Sequence, residues 1–322
     1  MSATNNAYAA GGAGAVRKSG GGAIKRGRDE YLLHAISYFV NTVIAAACLL
    51  PFVMVISASF SDEMAVQVNG FSLLPQKLSL EAYRQVFNEP AIIGRAYMVT
   101  IFLTVAGAAL GLFLQSMTAY VLSRRDFKWR NFFSLFFYIT TLFNGGLVPY
   151  FILMTQYLKL KNNYLALLLP LMFSVFNLLI LKSYIMGTPN DLIEASKIDG
   201  CTVFKTYLMV ILPCIKPALA TIGLFIALGY WNDWYSAMLF ITDDKMKPLQ
   251  YMLYEKVNNI EAYKRLIASG LSGSTDAVSA LSLPTQTLKM ALTVVVTGPI
   301  ILLYPVAQKY YVQGITIGAV KG

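Results

Sequence analysis

Six stretches of this chain, at about 35–57, 96–122, 132–156, 165–187, 217–241 and 287–310, are apolar over more than 20 residues each. About 20 apolar residues in a helix cross the ~30 Å hydrocarbon core of a bilayer. Only structures that satisfy their own backbone groups can stand in lipid, so stretches of this length become helices. Charged residues are 13% of the 322-residue chain, against about 25% in soluble domains, too few to cover a water-facing surface. The expectation is an all-α, polytopic membrane protein with six transmembrane helices. A porin-type barrel would show short alternating segments instead, and the sequence lacks that pattern.

Residues 1–30 are rich in Gly and Ala, carry five Lys or Arg, and show no apolar period, which predicts a disordered basic tail. The first apolar stretch ends on Ser57-Ala58-Ser59, which resembles a signal-cleavage site. It is longer than the ~7–15-residue core of a signal peptide, so a retained span is expected. Asn144-Gly145-Gly146 and Pro149 predict a broken helix within 132–156. Gly107 and Gly111 form a G-x-x-x-G, which either admits a closely packed helix or is scatter of small residues.

Orientation follows from loop charge. The 123–131 connection carries Arg124, Arg125, Lys128 and Arg130 against Asp126 alone, and the connection after the fourth span carries Lys182, Lys197, Lys205 and Lys216. The 58–95 segment has three basic and four acidic residues, and 242–286 is balanced at five each. Basic residues accumulate on the cytoplasmic side, so both termini are expected there, with 58–95 and 242–286 outside. The same distribution places the net charge of +10 in tail and loops, without the clustering a nucleic-acid partner requires. Cys48, Cys201 and Cys214 read as free thiols. With His34 the sole histidine, a histidine-based metal site or a Ser-His-Asp triad has almost nothing to build from.

Between the fourth and fifth spans lies one polar, helix-forming insertion, 189–213. Thr188-Pro189-Asn190-Asp191 predicts a helix start, with Thr188 as cap and Pro189 at the first helical position. Gly200 can adopt the positive φ that stops a helix, and Thr202 can cap a second helix running to Leu212-Pro213. A helix–glycine turn–helix at the cytoplasmic surface has two uses. It can present Glu194, the small Ala195 and Ser196, and Asp199 to a partner protein, or lie amphipathically on the headgroups.

The spacing Glu194-Ala195-Ser196-x3-Gly200-x9-Val210-x-Leu212-Pro213 resembles the EAA signature of permease subunits of ABC importers. That signature reads Glu-Ala-Ala, three residues, Gly, nine residues, Ile, one residue, Leu-Pro. Two departures, Ser196 and Val210, keep size or shape. Trp231-Asn232, Pro248-Leu249-Gln250, Tyr304-Pro305 and the ending Ala319-Val320-Lys321-Gly322 are similar to carbohydrate-importer permeases of the maltose type. The resemblance covers about 35–322 and implies the type I importer permease fold with a cytoplasmic coupling helix. It implies that 189–206 docks on a cytoplasmic ATPase, with Glu194 as polar contact, Gly200 as turn and 313–322 as a second contact. It further implies a second permease subunit, two ABC ATPase subunits and an external or periplasmic solute-binding protein, in a bacterial cytoplasmic (inner) membrane. Phe143-Asn144-Gly145-Gly146-Leu147-Val148-Pro149 leans toward the subgroup that imports larger or acidic oligosaccharides, such as alginate.

No G-x-x-x-x-G-K-[ST] occurs; Gly20-Gly21-Gly22 leads into Ala23-Ile24-Lys25-Arg26 without the needed spacing. No cofactor is therefore expected in this chain, and ATP and Mg would bind the partner ATPases. A sugar pathway needs polar and aromatic groups facing the bundle. Asn144, Tyr150, Asn177, Tyr184, Trp231, Asn232 and Asp233 are the candidates, although Trp and Tyr also serve as interfacial anchors. An ion-coupled secondary transporter is the alternative, but intramembrane carboxylates and repeats are not evident. A membrane enzyme would need a convergent acid, base or metal set.

Overall fold

The computed structural model of the protein describes residues 28–268 and 285–301. Among them every named element is a helix, and the one extended pairing is an isolated bridge between Ser61 and Leu78. The basic tail up to residue 27 and everything beyond 301, including the expected contact at 313–322, lie outside the described residues.

Two compact units divide the chain, 1–51 and 52–322. In the first, helix α1 (Arg28–Ser59) begins, and its side chains from Leu32 to Leu50 are all exposed. In the second, short helices α2 (Glu63–Asn69) and α3 (Glu81–Val86) precede α4 (Pro90–Ser123), 34 residues without a break. Proline at its first position fits the helix start, where the missing N–H is no loss.

Helix α4 is the post of the bundle. Leu103, Ala119 and Leu122 on it join Leu178, Leu181, Ile211, Ile222 and Ile226 in one buried cluster. In hydrocarbon there is no water to expel, so close packing and interhelical hydrogen bonds hold such a bundle. Both glycines of the G-x-x-x-G are used this way. A Cβ on Gly107 would come within 2.2 Å of the Tyr230 ring, and one on Gly111 within 2.8 Å of the Met172 carbonyl oxygen.

The remaining spans are broken. Helices α5 (Arg130–Leu142) and α6 (Leu147–Tyr157) meet at 113° around Asn144-Gly145-Gly146, where Gly146 has φ +86. Helices α7 (Tyr164–Met172) and α8 (Val175–Met186) meet at 47°. The apolar stretch 165–187, expected as one span, is therefore bent near its middle. Pro170 loosens α7, Ser174 caps the amide of Asn177, and the Gln115 amide from α4 donates to the freed Met172 carbonyl at 2.9 Å. A neighbour that re-satisfies the backbone is what makes a break tolerable at membrane depth.

Helices α9 (Asn190–Ile198) and α10 (Val203–Cys214) form the hairpin, and α10 meets α11 (Lys216–Trp231) at 87°. The stretch 217–241 is interrupted too: α11 ends at Trp231 and α12 (Tyr235–Phe240) follows. Asp233 Oδ1 accepts from the Ser236 amide at 3.0 Å, a capping bond that starts the new helix. Helices α13 (Leu249–Ala268) and α14 (Thr285–Ile301) complete the described residues. Ala82, Ile93, Trp231, Leu249, Met252 and Leu292 form a second buried cluster. By length and composition two helices can cross a membrane alone, and three bent pairs qualify when each is taken as one span.

Candidate functional site

The hairpin is built by local chemistry. Helix α9 ends in a paired-bond turn: the Cys201 amide donates to the Ser196 carbonyl at 2.9 Å and the Gly200 amide to the Lys197 carbonyl at 3.1 Å. This is the Schellman arrangement, which requires a left-handed residue, and Gly200 supplies it with φ +75. Thr202 then caps α10 through its side-chain oxygen, which accepts from the Lys205 amide at 3.3 Å. The start of α9 differs from the expectation. Pro189 itself is the cap, with φ −56 and ψ 130 and no side-chain bond. The Thr188 amide donates back to Ile185 at 3.0 Å, which ties that residue to the end of α8 and leaves Asn190 as the first helical position.

Ser196 is the strut between the two arms. It is buried, donates to the Ile193 carbonyl at 2.7 Å, and its hydroxyl lies 3.1 Å from that of Thr206. Glu194, Ala195, Asp199 and Gly200 are exposed, with Ile198 86% and Leu192 45% open; Glu194 and Ile198, two residues either side of Ser196, lie across the helix from it. The exposed surface of α9 and its end therefore combines the carboxylates of Asp191, Glu194 and Asp199 and the Lys197 ammonium with the small Ala195 and two open aliphatic side chains. Apolar surface of that kind is a common element of protein interfaces.

The second arm ties the hairpin to the post. The Leu212 amide reaches the Tyr207 carbonyl, an i→i+5 turn immediately before Pro213. Proline cannot donate to the preceding turn and widens it. The Tyr207 hydroxyl is 2.7 Å from that of Ser116 on α4, both buried, and the Tyr207 and Tyr120 rings stack at 5.7 Å. Ile211 is fully buried and Leu212 packs against the same cluster. Displacement of α9 would thus pass through Ser196 and Thr206 to Tyr207, and from there to α4.

Most of the pathway candidates have local structural partners. Asn144 Oδ1 accepts from the Gly146 amide at 2.9 Å and shapes the α5–α6 break. Asn232 donates to Leu228 and accepts from Gln250, at 3.0 and 3.3 Å, and Asp233 caps α12. Trp231 is 6% exposed in the second cluster. Tyr150 packs edge-on to Phe240 at 5.6 Å. Asn177 is buried in the first turn of α8, and Tyr184 packs against the main cluster.

Two polar latches carry no local sequence signal. Glu63 on α2 accepts from the amides of Gln286 (2.9 Å) and Thr287 (2.8 Å) and from the hydroxyls of Thr285 and Thr287, capping α14. Asn162, in a left-handed conformation (φ 54), accepts from the Thr242 amide at 2.7 Å. The pairs are separated by more than 200 and by 80 residues.

The family described as "Binding-protein-dependent transport system inner membrane component" matches residues 32–317. The polygalacturonan/rhamnogalacturonan transport system permease protein YtcP of Bacillus subtilis is 39% identical over 292 residues, spanning 90% of this chain and 99% of its own. The trehalose/maltose transport system permease protein MalG of Thermococcus litoralis is 30% identical over 301 residues, 92% and 99% of the two chains. Among solved structures, a chain of a bacterial ABC transporter involved in the import of the acidic polysaccharide alginate superposes with a TM-score of 0.76 at 27% identity. The match covers 89% of this chain and 99% of that one.

Proposed function

The chain belongs to the family of binding-protein-dependent transport system inner membrane components, and from that membership we propose that it is one of two permease subunits of an ATP-driven oligosaccharide importer. It forms the transport pathway with a second permease. ATP and Mg bind two separate cytoplasmic ATPase subunits, and an external solute-binding protein delivers the sugar. Both termini face the cytoplasm of a bacterial inner membrane, a reading supported by the basic residues at 123–131 and 182–216. The exposed apolar side chains of α1 and α5 suit lipid and the second permease.

The observation that carries this reading is the hairpin. Its outer face exposes Glu194, Ala195 and Ile198, while its inner side is linked through Ser196, Thr206 and Tyr207 to α4. Closure of the ATPases pushes α9, and the near-right-angle junction at Ile215 turns that push into a tilt of α11, a rigid-body transition. An acidic oligosaccharide is the substrate class supported by the relatives, one named for polygalacturonan and rhamnogalacturonan and one for alginate.

The test is substrate-stimulated ATP hydrolysis and uptake by the reconstituted complex. Glu194→Ala is expected to leave insertion intact and to lose stimulation. Uptake that continues without any ATPase subunit and collapses with the proton gradient would replace this reading with ion-coupled transport.

A further inference from the structure

A cavity of about 260 Å³ lies between the hairpin and the turn that joins α4 to α5. Arg124, Arg125, Arg130 and Lys197 line it, against the carboxylates of Asp126 and Glu194. Asp126 is already engaged: Arg124 Nε donates to its Oδ1 at 2.8 Å and a second guanidinium nitrogen to its Oδ2. That pairing holds the Asp126 carboxyl down at about 2, with Lys197 adding to the effect. Among the described residues, Arg125, Arg130 and Lys197 have no carboxylate within ion-pair distance. Arg124, Arg125, Arg130 and Lys197 thus face only the two carboxylates of Asp126 and Glu194, and a lining with that excess of positive charge suits an anion.

The rim narrows the class of anion. Met186 and Val203 line the cavity and are 64% and 48% exposed, and Trp129, next to Arg130, is 57% exposed. Guanidinium groups match the geometry of phosphate oxygens, while an exposed apolar and indole rim suits acyl chains at the headgroup level. We propose that this cavity binds the phosphate of an anionic phospholipid, with Arg125 and Arg130 as its principal ligands and Lys197 closing it from the hairpin side. A phosphate so held bridges α9 to the end of α4 and makes the hairpin's position sensitive to lipid charge. The assignment to the cytoplasmic leaflet rests on the importer reading; binding itself does not.

The probe is dioleoylphosphatidylglycerol mixed with dioleoylphosphatidylcholine, with the complete transporter complex reconstituted in nanodiscs and its retained lipids counted by native mass spectrometry. Phosphatidylglycerol is expected to be enriched on the wild-type complex. An Arg125→Gln/Arg130→Gln complex of unchanged subunit composition is expected to lose that enrichment by roughly thirtyfold, the effect of removing two basic residues near an anionic surface. The Arg125→Lys/Arg130→Lys complex, which keeps the charge and loses the fork geometry, is expected to lie between the two. Equal retention by wild type and the Gln variant, or no preference over phosphatidylcholine in the wild type, overturns the proposal. Displacement of the lipid by inorganic phosphate assigns the site to a free anion, and cross-linking of Arg125 to an acidic segment of the ATPase assigns it to protein. Either result also overturns it. Lipid retention is independent of sugar uptake, so failure here is distinguishable from failure of the importer reading.

Discussion

The ring of Tyr230 on α11 lies against the backbone of Gly107 on α4, so close that a Cβ there would stand 2.2 Å from Cε2. The ring has no freedom to withdraw, because its hydroxyl donates to the Leu168 carbonyl on α7 at 2.5 Å. Three helices therefore meet at one glycine. Gly107→Ala is expected to lower stability by about 1–3 kcal/mol through overpacking, read as a drop in the thermal unfolding midpoint of the purified protein. Adding Tyr230→Ala should recover part of that loss. A double variant no better than the sum of the singles would show that the contact is not the cause.

The Met172 carbonyl is held by the Gln115 amide at 2.9 Å and crowded by the Gly111 backbone. Gln115→Leu leaves that carbonyl without its donor inside the bundle, at a cost of roughly 1–3 kcal/mol. Gly111→Ala presses on the same atom. Because both act on one site, their effects on the unfolding midpoint are expected to be non-additive.

Gly200 has φ +75 and open space around its α-carbon. The cost of a side chain there is conformational and not steric, so Gly200→Asn is expected to lose little and Gly200→Ala about 1 kcal/mol of hairpin stability. Gly200→Pro cannot adopt this φ and removes the amide that bonds Lys197. ATP hydrolysis by the Pro variant complex should no longer respond to substrate, while the Asn variant stays near wild type. Wild-type coupling in the Pro variant would remove the hairpin from the mechanism.

Ser196→Ala removes the bond to Thr206 and leaves the Thr206 hydroxyl buried without that partner, a loss on the order of 1 kcal/mol. Ser196→Ala/Thr206→Val should be closer to wild type than Ser196→Ala alone. Substrate-stimulated ATPase of the three complexes measures the difference.

Burial opposes the charge of Glu63, yet the Gln286 and Thr287 amides, with the Gln67 and Thr287 side chains, hold its carboxyl below the ordinary 4.5. A depressed carboxylate contributes stability that is complete above the unfolded value and is lost as pH falls through the folded one. Thermal stability should therefore decline below about pH 4.5, and Glu63→Gln, already weakened at neutral pH, should decline less over that window.

Local chemistry made much of the molecule legible. The Gly200 turn and the Thr202 cap are satisfied within five residues of themselves, so their residue types suffice to read them. Asn144-Gly145-Gly146 announced the α5–α6 break in the same way. The breaks at Phe173–Ser174 and at Asn232–Asp233 did not announce themselves. Ser174 sits in a run whose hydropathy stays high, Asn232-Asp233 lies in a polar aromatic run of the kind that also anchors a helix end at the interface, and the Met172 carbonyl needs Gln115, 57 residues away. Asn144, Asn232 and Asp233, chosen as pathway candidates for their polarity, each shape a helix break, a role that polarity alone does not distinguish from sugar contact.

By itself the sequence determined the all-α membrane class, the hairpin and its spacing, because apolar length and helix capping are properties of contiguous residues. Only the tertiary structure decided which carbonyl Gln115 satisfies, which ring Gly107 admits, and that Glu63 caps α14. Each of those choices depends on groups distant in the chain meeting in space, and a helix carries no local mark of the neighbour that will complete its hydrogen bonds.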